Sequence, residues 1–147
     1  MTGKRLGILG FAFKADTNDI RESPAIRICT DLIQEGAFLA IYDPKVEASQ
    51  VSSCLNTEHS LSQEVTQSCS QDCGTWQCVS SPLEAAEHSD AIIVLTEWNE
   101  FAHLNWKVIA SVMRRPAWVF DARSVVNIAD CKHSGLNVWT IGKGICD

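Results

Sequence analysis

What most constrains this chain is the order of its opening segments. A short apolar run over residues 4–11 (KRLGILGF) gives way to a polar loop over 12–22. Ser23-Pro24 follows, then an apolar-periodic stretch that stops at Gly36, then a second apolar run over 37–42. Ser at an N-cap and Pro at the first helical position are a strong helix start. Ala25, Ile28, Cys29, Leu32 and Ile33 recur at helical spacing and predict one buried face. Gly36 suits a helix stop, and Asp43-Pro44 closes the second run. The unit is therefore strand–helix–strand, a crossover that lays its two strands parallel.

The pattern continues to the far end. Residues 76–80 predict a short strand and 82–88 a short helix. Residues 91–95 (AIIVL) are the strongest strand in the chain. Asn105 can cap a helix with Trp106, Ile109, Ala110 and Met113 inward and Arg114 and Arg115 at its C-terminal end, before Pro116 blocks continuation. Residues 117–121 predict a strand, 125–131 a short helix and 136–141 a last strand. The expected fold class is α/β: a Rossmann-like open parallel sheet of about six strands with helices on both faces. The stretch 46–75 breaks the rhythm. It holds seven serines, few large apolar residues and no clear period. It is expected to be a flexible insertion or to contain a short helix whose ends the sequence does not mark.

Composition narrows the function classes. With 147 residues, 46% hydrophobic and 20% charged, the chain suits one soluble domain. A net charge of −6 removes a global basic footprint for nucleic acid or an anionic membrane. No apolar run approaches the roughly 20 residues of a bilayer span, and residues 1–5 open no signal peptide. Seven cysteines is an odd number spread through predicted elements, so reduced thiols and a cytoplasmic location are expected.

In an open parallel sheet, ligands bind beyond the carboxyl ends of the strands. Lys14 and Arg123 leave two different predicted strands at that edge, and Arg21 stands just before a helix start. Such cations suit a phosphate: Arg through parallel hydrogen bonds, Lys as a point charge. Asp16, Asp19 and Glu22 lie close in sequence, so surface ion pairs are the competing reading. Gly7 and Gly10 do not make a dinucleotide fingerprint. They stand three apart, and the helix opens only after a long loop. Asp43 is better read as a strand-end cap than as a ribose ligand. The Cys69, Cys73 and Cys78 spacing does not suit zinc, and His88 and His103 belong to no nucleophile–base pair. Trp98 is the one tryptophan expected at the ligand edge.

Four ordered motifs carry a resemblance. Residues 7–24 (GILGFAFKADTNDIRESP), Tyr42-Asp43-Pro44, Thr96-Glu97-Trp98 and Phe120-Asp121-Ala122-Arg123 closely resemble the C-terminal domain of the UDP-glucose 6-dehydrogenases, within the UDP-glucose/GDP-mannose dehydrogenase family. The resemblance implies an enzyme that oxidises the C6 alcohol of UDP-glucose to UDP-glucuronate with two NAD. An N-terminal domain would hold NAD, a cysteine would act as nucleophile, and the C-terminal domain would hold the UDP part. It implies that Phe13, Lys14 and Arg123 contact the UDP-sugar and that Arg21 faces NAD in the N-terminal domain. None of the seven cysteines lies in a matching nucleophile motif, and the NAD domain and central helix have no counterpart in these residues. The chain alone is expected to be inactive, as a separately cloned domain or a truncated product of a homo-oligomeric enzyme. The alternatives are the same domain of a UDP-N-acetylmannosamine or GDP-mannose dehydrogenase, or a stand-alone nucleotide-sugar-binding module.

Overall fold

The structure is a computed structural model that describes residues 1–62 and 74–147, with 56–62 by backbone alone. Strand β1 (Arg5–Leu9) is followed by helix α1 (Pro24–Gln34), β2 (Phe38–Tyr42), α2 (Ala48–Ser62) and β3 (Thr75–Cys78). Then come α3 (Pro82–Ala86), β4 (Ala91–Val94), α4 (Asn99–Ala102), α5 (Trp106–Val112) and β5 (Trp118–Asp121). The chain ends with α6 (Ile128–His133), β6 (Asn137–Thr140) and β7 (Gly144–Cys146). The strands form one sheet in the order β3-β2-β1-β4-β5-β6-β7. All neighbouring pairs are parallel except β6 and β7.

The six expected strands are β1 to β6. The seventh is new. It folds back on β6 after Ile141-Gly142-Lys143, with Gly142 at φ +82°. Three residues are too few to show a period, which is why the sequence hides it. Asn127 caps α6 by accepting from the Asp130 N–H, so that helix starts later than expected. Helix α5 stops at Val112, and the two arginines behind it serve other partners than its dipole. Arg114 pairs with Asp90 at 3.4 Å, and Arg115 donates to the carbonyls of Ser134 and Gly135.

Of the two expectations for 46–75, the structure shows the helix: α2 fills its first half and is longer than expected, at 15 residues. Gln50 Oε1 accepts from the Glu47 N–H at 3.0 Å at the start of that helix. Val51 and Leu55, four apart, are both buried at 1% exposure beside Ala25, Cys29 and Ile33 of α1. Two apolar residues on one turn anchor the helix, and Ser49 and Ser53 are exposed. Residues 63–73 lie outside the described residues, and Thr75 already belongs to β3.

Side chains alternate across the sheet. Leu6 and Ile8 of β1 join Leu39 and Ile41 of β2 under α1 and α2. Leu9, Ala40, Ile92, Val94, Val119 and Val138 face α3, α5 and α6 on the other side. Gly7 points to this second side. A Cβ there would lie 2.6 Å from the Ala85 carbonyl oxygen of α3. The missing side chain is what lets α3 lie against β1. Gly7→Ala is therefore expected to force the helix off the sheet and to cost about 2 kcal/mol in a denaturant titration. A change within ±0.5 kcal/mol would show that α3 has room to move.

Candidate anion-binding site at the carboxyl edge of the sheet

From β1 the chain steps outward to β2 and β3, then returns to β4 on the other flank of β1. Ligand crevices form where connections diverge in this way, beyond the carboxyl ends of the strands. The loops leaving β1, β4 and β5 meet there.

Hydrogen bonds to side chains fix the loop after β1. Gly10 turns the chain at φ +94° and donates to the Tyr42 carbonyl at 2.8 Å. A Cβ on Gly10 would sit 2.4 Å from Thr96 Cβ. Asp43 Oδ2 accepts from the N–H groups of Phe11 and Ala12 at 2.8 and 3.0 Å, and from Trp98 Nε1 at 3.1 Å. Its Oδ1 accepts from the Lys45 and Val46 N–H groups. Asp43 is thus the strand-end cap the sequence suggested, with both oxygens engaged. Thr96 Oγ1 donates to the Ala12 carbonyl at 2.8 Å. Ser23 caps α1 and also donates to the Phe11 carbonyl at 2.7 Å.

On this frame Phe13 stands 45% exposed. Lys14 is exposed beside it and has no salt bridge among the described residues. Arg123 arrives from β5. Asp121, fully buried, sets its backbone: Oδ1 accepts from the Arg123 N–H and Oδ2 from the Val126 N–H, each at 2.9 Å. Arg123 Nη2 lies 3.4 Å from the Phe13 carbonyl oxygen. Residues 110 apart in the chain therefore meet, and Arg123 adjoins the backbone that carries Lys14. Glu97, leaving β4, stands between the two loops. Its Oε1 accepts from the Ala15 N–H at 3.2 Å, and its Oε2 lies 2.5 Å from the Arg123 guanidinium. Burial works against the Glu97 charge, but the bonds from Ala15, its own N–H and Arg123 outweigh burial and hold its pKa below the usual value.

Arg21 is placed differently. No bond joins it to Lys14 or Arg123 among the described residues. It folds onto Asp19, which accepts from its N–H, Nε and Nη2 at 2.9–3.0 Å. The ion-pair reading thus holds for Arg21, while Lys14 escapes it. Sequence reasoning placed Glu97 at this edge but gave it no role. The signal was an acidic residue leaving a strand beside the one that releases Arg123.

Backbone strain gathers at the same rim. Asp16, Glu22 and Ser124 hold φ values of 62°, 56° and 56°. Each lies within two residues of Lys14, Arg21 or Arg123. Non-glycine residues in this region cost on the order of 1 kcal/mol each and persist where the surroundings impose them.

The site does not fit an independent NAD. The turn after β1 has no second and third fingerprint glycine, a long loop separates it from α1, and Asp43 has no oxygen free for a ribose. No group of three or more His, Cys, Asp or Glu able to hold a metal occurs among the described residues. The five described cysteines are free thiols. Burial, with Asp130 and Asp121 nearby, pushes Cys131 up to about 12, and burial raises Cys29 further. Both thiols are fully buried, and burial favours the neutral thiol, a setting that suits packing rather than nucleophilic attack. A hollow of about 600 Å³ between α5 and α6, lined by Trp106, Lys107, Arg115 and His133 among others, includes none of the four candidate residues. No helix among the described residues is long and apolar enough to cross a membrane.

Two outcomes test this geometry. Asp43→Ala strands partly buried N–H donors on three segments and is expected to cost about 3 kcal/mol in chemical unfolding, with Asp43→Asn losing less. An unchanged midpoint for Asp43→Ala would overturn the capping role. The bonds from Arg21 lower the Asp19 pKa from 3.8 to about 2. The clamp is thus present at neutral pH and is lost only as pH falls through about 2. NMR titration of the Asp19 carboxyl should move its midpoint back toward 3.8 in Arg21→Ala.

Residues 7–128 match the model of the UDP-glucose/GDP-mannose dehydrogenase family, UDP binding domain. The chain is 41% identical over 143 residues to a UDP-glucose 6-dehydrogenase of Drosophila melanogaster, covering 97% of this chain and 29% of that protein. It is 40% identical to UDP-glucose 6-dehydrogenase 1 of Arabidopsis thaliana, over 97% of this chain and 31% of that protein. Among solved structures, an NDP-N-acetyl-D-galactosaminuronic acid dehydrogenase from Methanosarcina mazei shares the fold. Its TM-score is 0.72 at 20% identity, over 97% of this chain and 25% of that one. The chain spans about three tenths of the length of these curated relatives.

Proposed function

The chain belongs to the UDP-glucose/GDP-mannose dehydrogenase family, matching its UDP binding domain, and from that premise we propose that Lys14 and Arg123 grip the diphosphate of a UDP-sugar. The sugar's C6 alcohol is then oxidised to a carboxylate by machinery outside these residues. One observation carries the reading: the Arg123 guanidinium lies against the Phe13 carbonyl, next to Lys14, at the point where the strand connections diverge.

Each residue has a physical task. Arg123 offers the charge-assisted donors of its free Nη1 end to phosphate oxygens, and Lys14 adds a flexible point charge. Phe13 presents an open aromatic face to the nucleotide or sugar. Arg21 projects outward, its side chain 87% exposed, in reach of a neighbouring domain. It is proposed to face the pyrophosphate of NAD held by the N-terminal domain of the full-length, homo-oligomeric enzyme. The buried thiols of Cys29 and Cys131 and the lack of a dinucleotide turn after β1 among the described residues support UDP holding rather than catalysis. Of the relatives, the UDP-glucose 6-dehydrogenases at about 40% identity favour UDP-glucose over UDP-N-acetylmannosamine or GDP-mannose. The free thiols suit the cytoplasm.

Calorimetric titration tests this. UDP is expected to bind the chain. The Lys14→Ala, Arg123→Ala double variant is expected to lose about a hundredfold in affinity, the scale of two charge-assisted hydrogen bonds. Equal binding by both proteins would remove the diphosphate site. With UDP-glucose and NAD the chain alone should produce no NADH, and any steady NADH formation would refute the division of labour.

A further inference from the structure

We propose that Glu97 is the positioning residue of this site. Its carboxylate holds the loop bearing Phe13 and Lys14 at a fixed spacing from Arg123 and turns the guanidinium toward the ligand. The assignment rests on the reading of Lys14 and Arg123 as the diphosphate site, but its geometry stands on separate contacts.

Glu97 leaves β4, between the strands that release the two loops. One oxygen takes the Ala15 N–H and the other takes Nε and Nη2 of Arg123. Each loop is thus tied to the same carboxylate. The tie also selects an orientation. An arginine has five N–H donors in a rigid fork. Glu97 occupies the Nε side, and the Phe13 carbonyl lies near Nη2. The Nη1 end has no protein partner among the described residues. That end is the one left for an incoming anion. A long side chain at the rim would otherwise sample many rotamers, and fixing it beforehand lowers the ordering cost of binding. Glu97 touches no ligand atom in this account and acts through Arg123 and the Ala15 backbone.

The Glu97–Arg123 ion pair also admits an alternative in which Glu97 competes with phosphate for Arg123. The two differ in sign. A competitor weakens binding and its removal tightens it. A positioning residue strengthens binding and its removal loosens it, and loosens it most while Arg123 is present.

The test is a double-mutant cycle with an NMR arm on the 147-residue chain. UDP is titrated into the parent, Glu97→Ala, Arg123→Ala and the double variant. Glu97→Ala is expected to bind about tenfold more weakly in the parent background and to lose clearly less in the Arg123→Ala background, where only its tie to the Ala15 N–H remains. In the NMR arm the Arg123 Nε–H signal and the slow exchange of the Ala15 amide should both be lost in Glu97→Ala. Glu97→Gln guards against a folding failure. It should keep the Ala15 protection, because its amide oxygen still accepts, while losing the Arg123 signal. An equal loss in both backgrounds, tighter binding by Glu97→Ala, or an unchanged Arg123 Nε–H would overturn the assignment. A parent chain that fails to bind UDP while both NMR signals respond as expected would fell the diphosphate reading and leave the hold of Glu97 on its two loops standing.

Discussion

The carboxylate of Asp43 is the interaction on which the working edge depends. Five N–H groups converge on its two oxygens: those of Phe11, Ala12, Lys45 and Val46, and the indole of Trp98. These donors come from three stretches of chain that leave β1, β2 and β4. A parallel sheet releases all its strands at one end, where backbone groups lose their ladder partners together. Left without acceptors, they would have to be hydrated, and the loops would be soft. One acidic side chain satisfies them instead. Asp121 does the same service on a smaller scale after β5. With the exits set by these two aspartates, the cations farther out inherit fixed starting points.

This explains why much of the molecule was legible in its residues. Strands β1, β2, β4 and β5 lie in apolar runs bounded by Gly, Pro and Asp, and Ser23-Pro24 marks the start of α1 without ambiguity. The edge that carries Lys14 and Arg123 followed from strand direction and from the four motifs. What was hidden has physical reasons. Among its described side chains helix α2 buries only Val51 and Leu55, too few for a period to emerge from serines. Strand β7 has only three residues, and α4 only four. The partners of Arg114, Arg115 and Arg123 are long-range. No local pattern states that Arg123 will reach Glu97 or that Arg115 will reach carbonyls beyond α6.

Gly7 and Gly10 show how one pair of residues can mislead. Their position at the end of a first strand suggests a phosphate-cradling turn. In the fold Gly7 makes room for the Ala85 carbonyl, and Gly10 makes room for Thr96. Both serve close packing of chain on chain. The proposed anion site rests on side chains instead, which makes it a composite of separate loops rather than a single turn.

The left-handed backbone at Asp16, Glu22 and Ser124 has a practical corollary for protein engineering. Glycine would adopt those angles freely and raise heat tolerance wherever relief of strain exceeds the added freedom of the unfolded chain. Each such change would also slacken the mooring of the neighbouring cation. A stabilised version of this molecule is therefore best sought away from that rim, among surface positions of its helices, where gains in robustness carry no loss of grip.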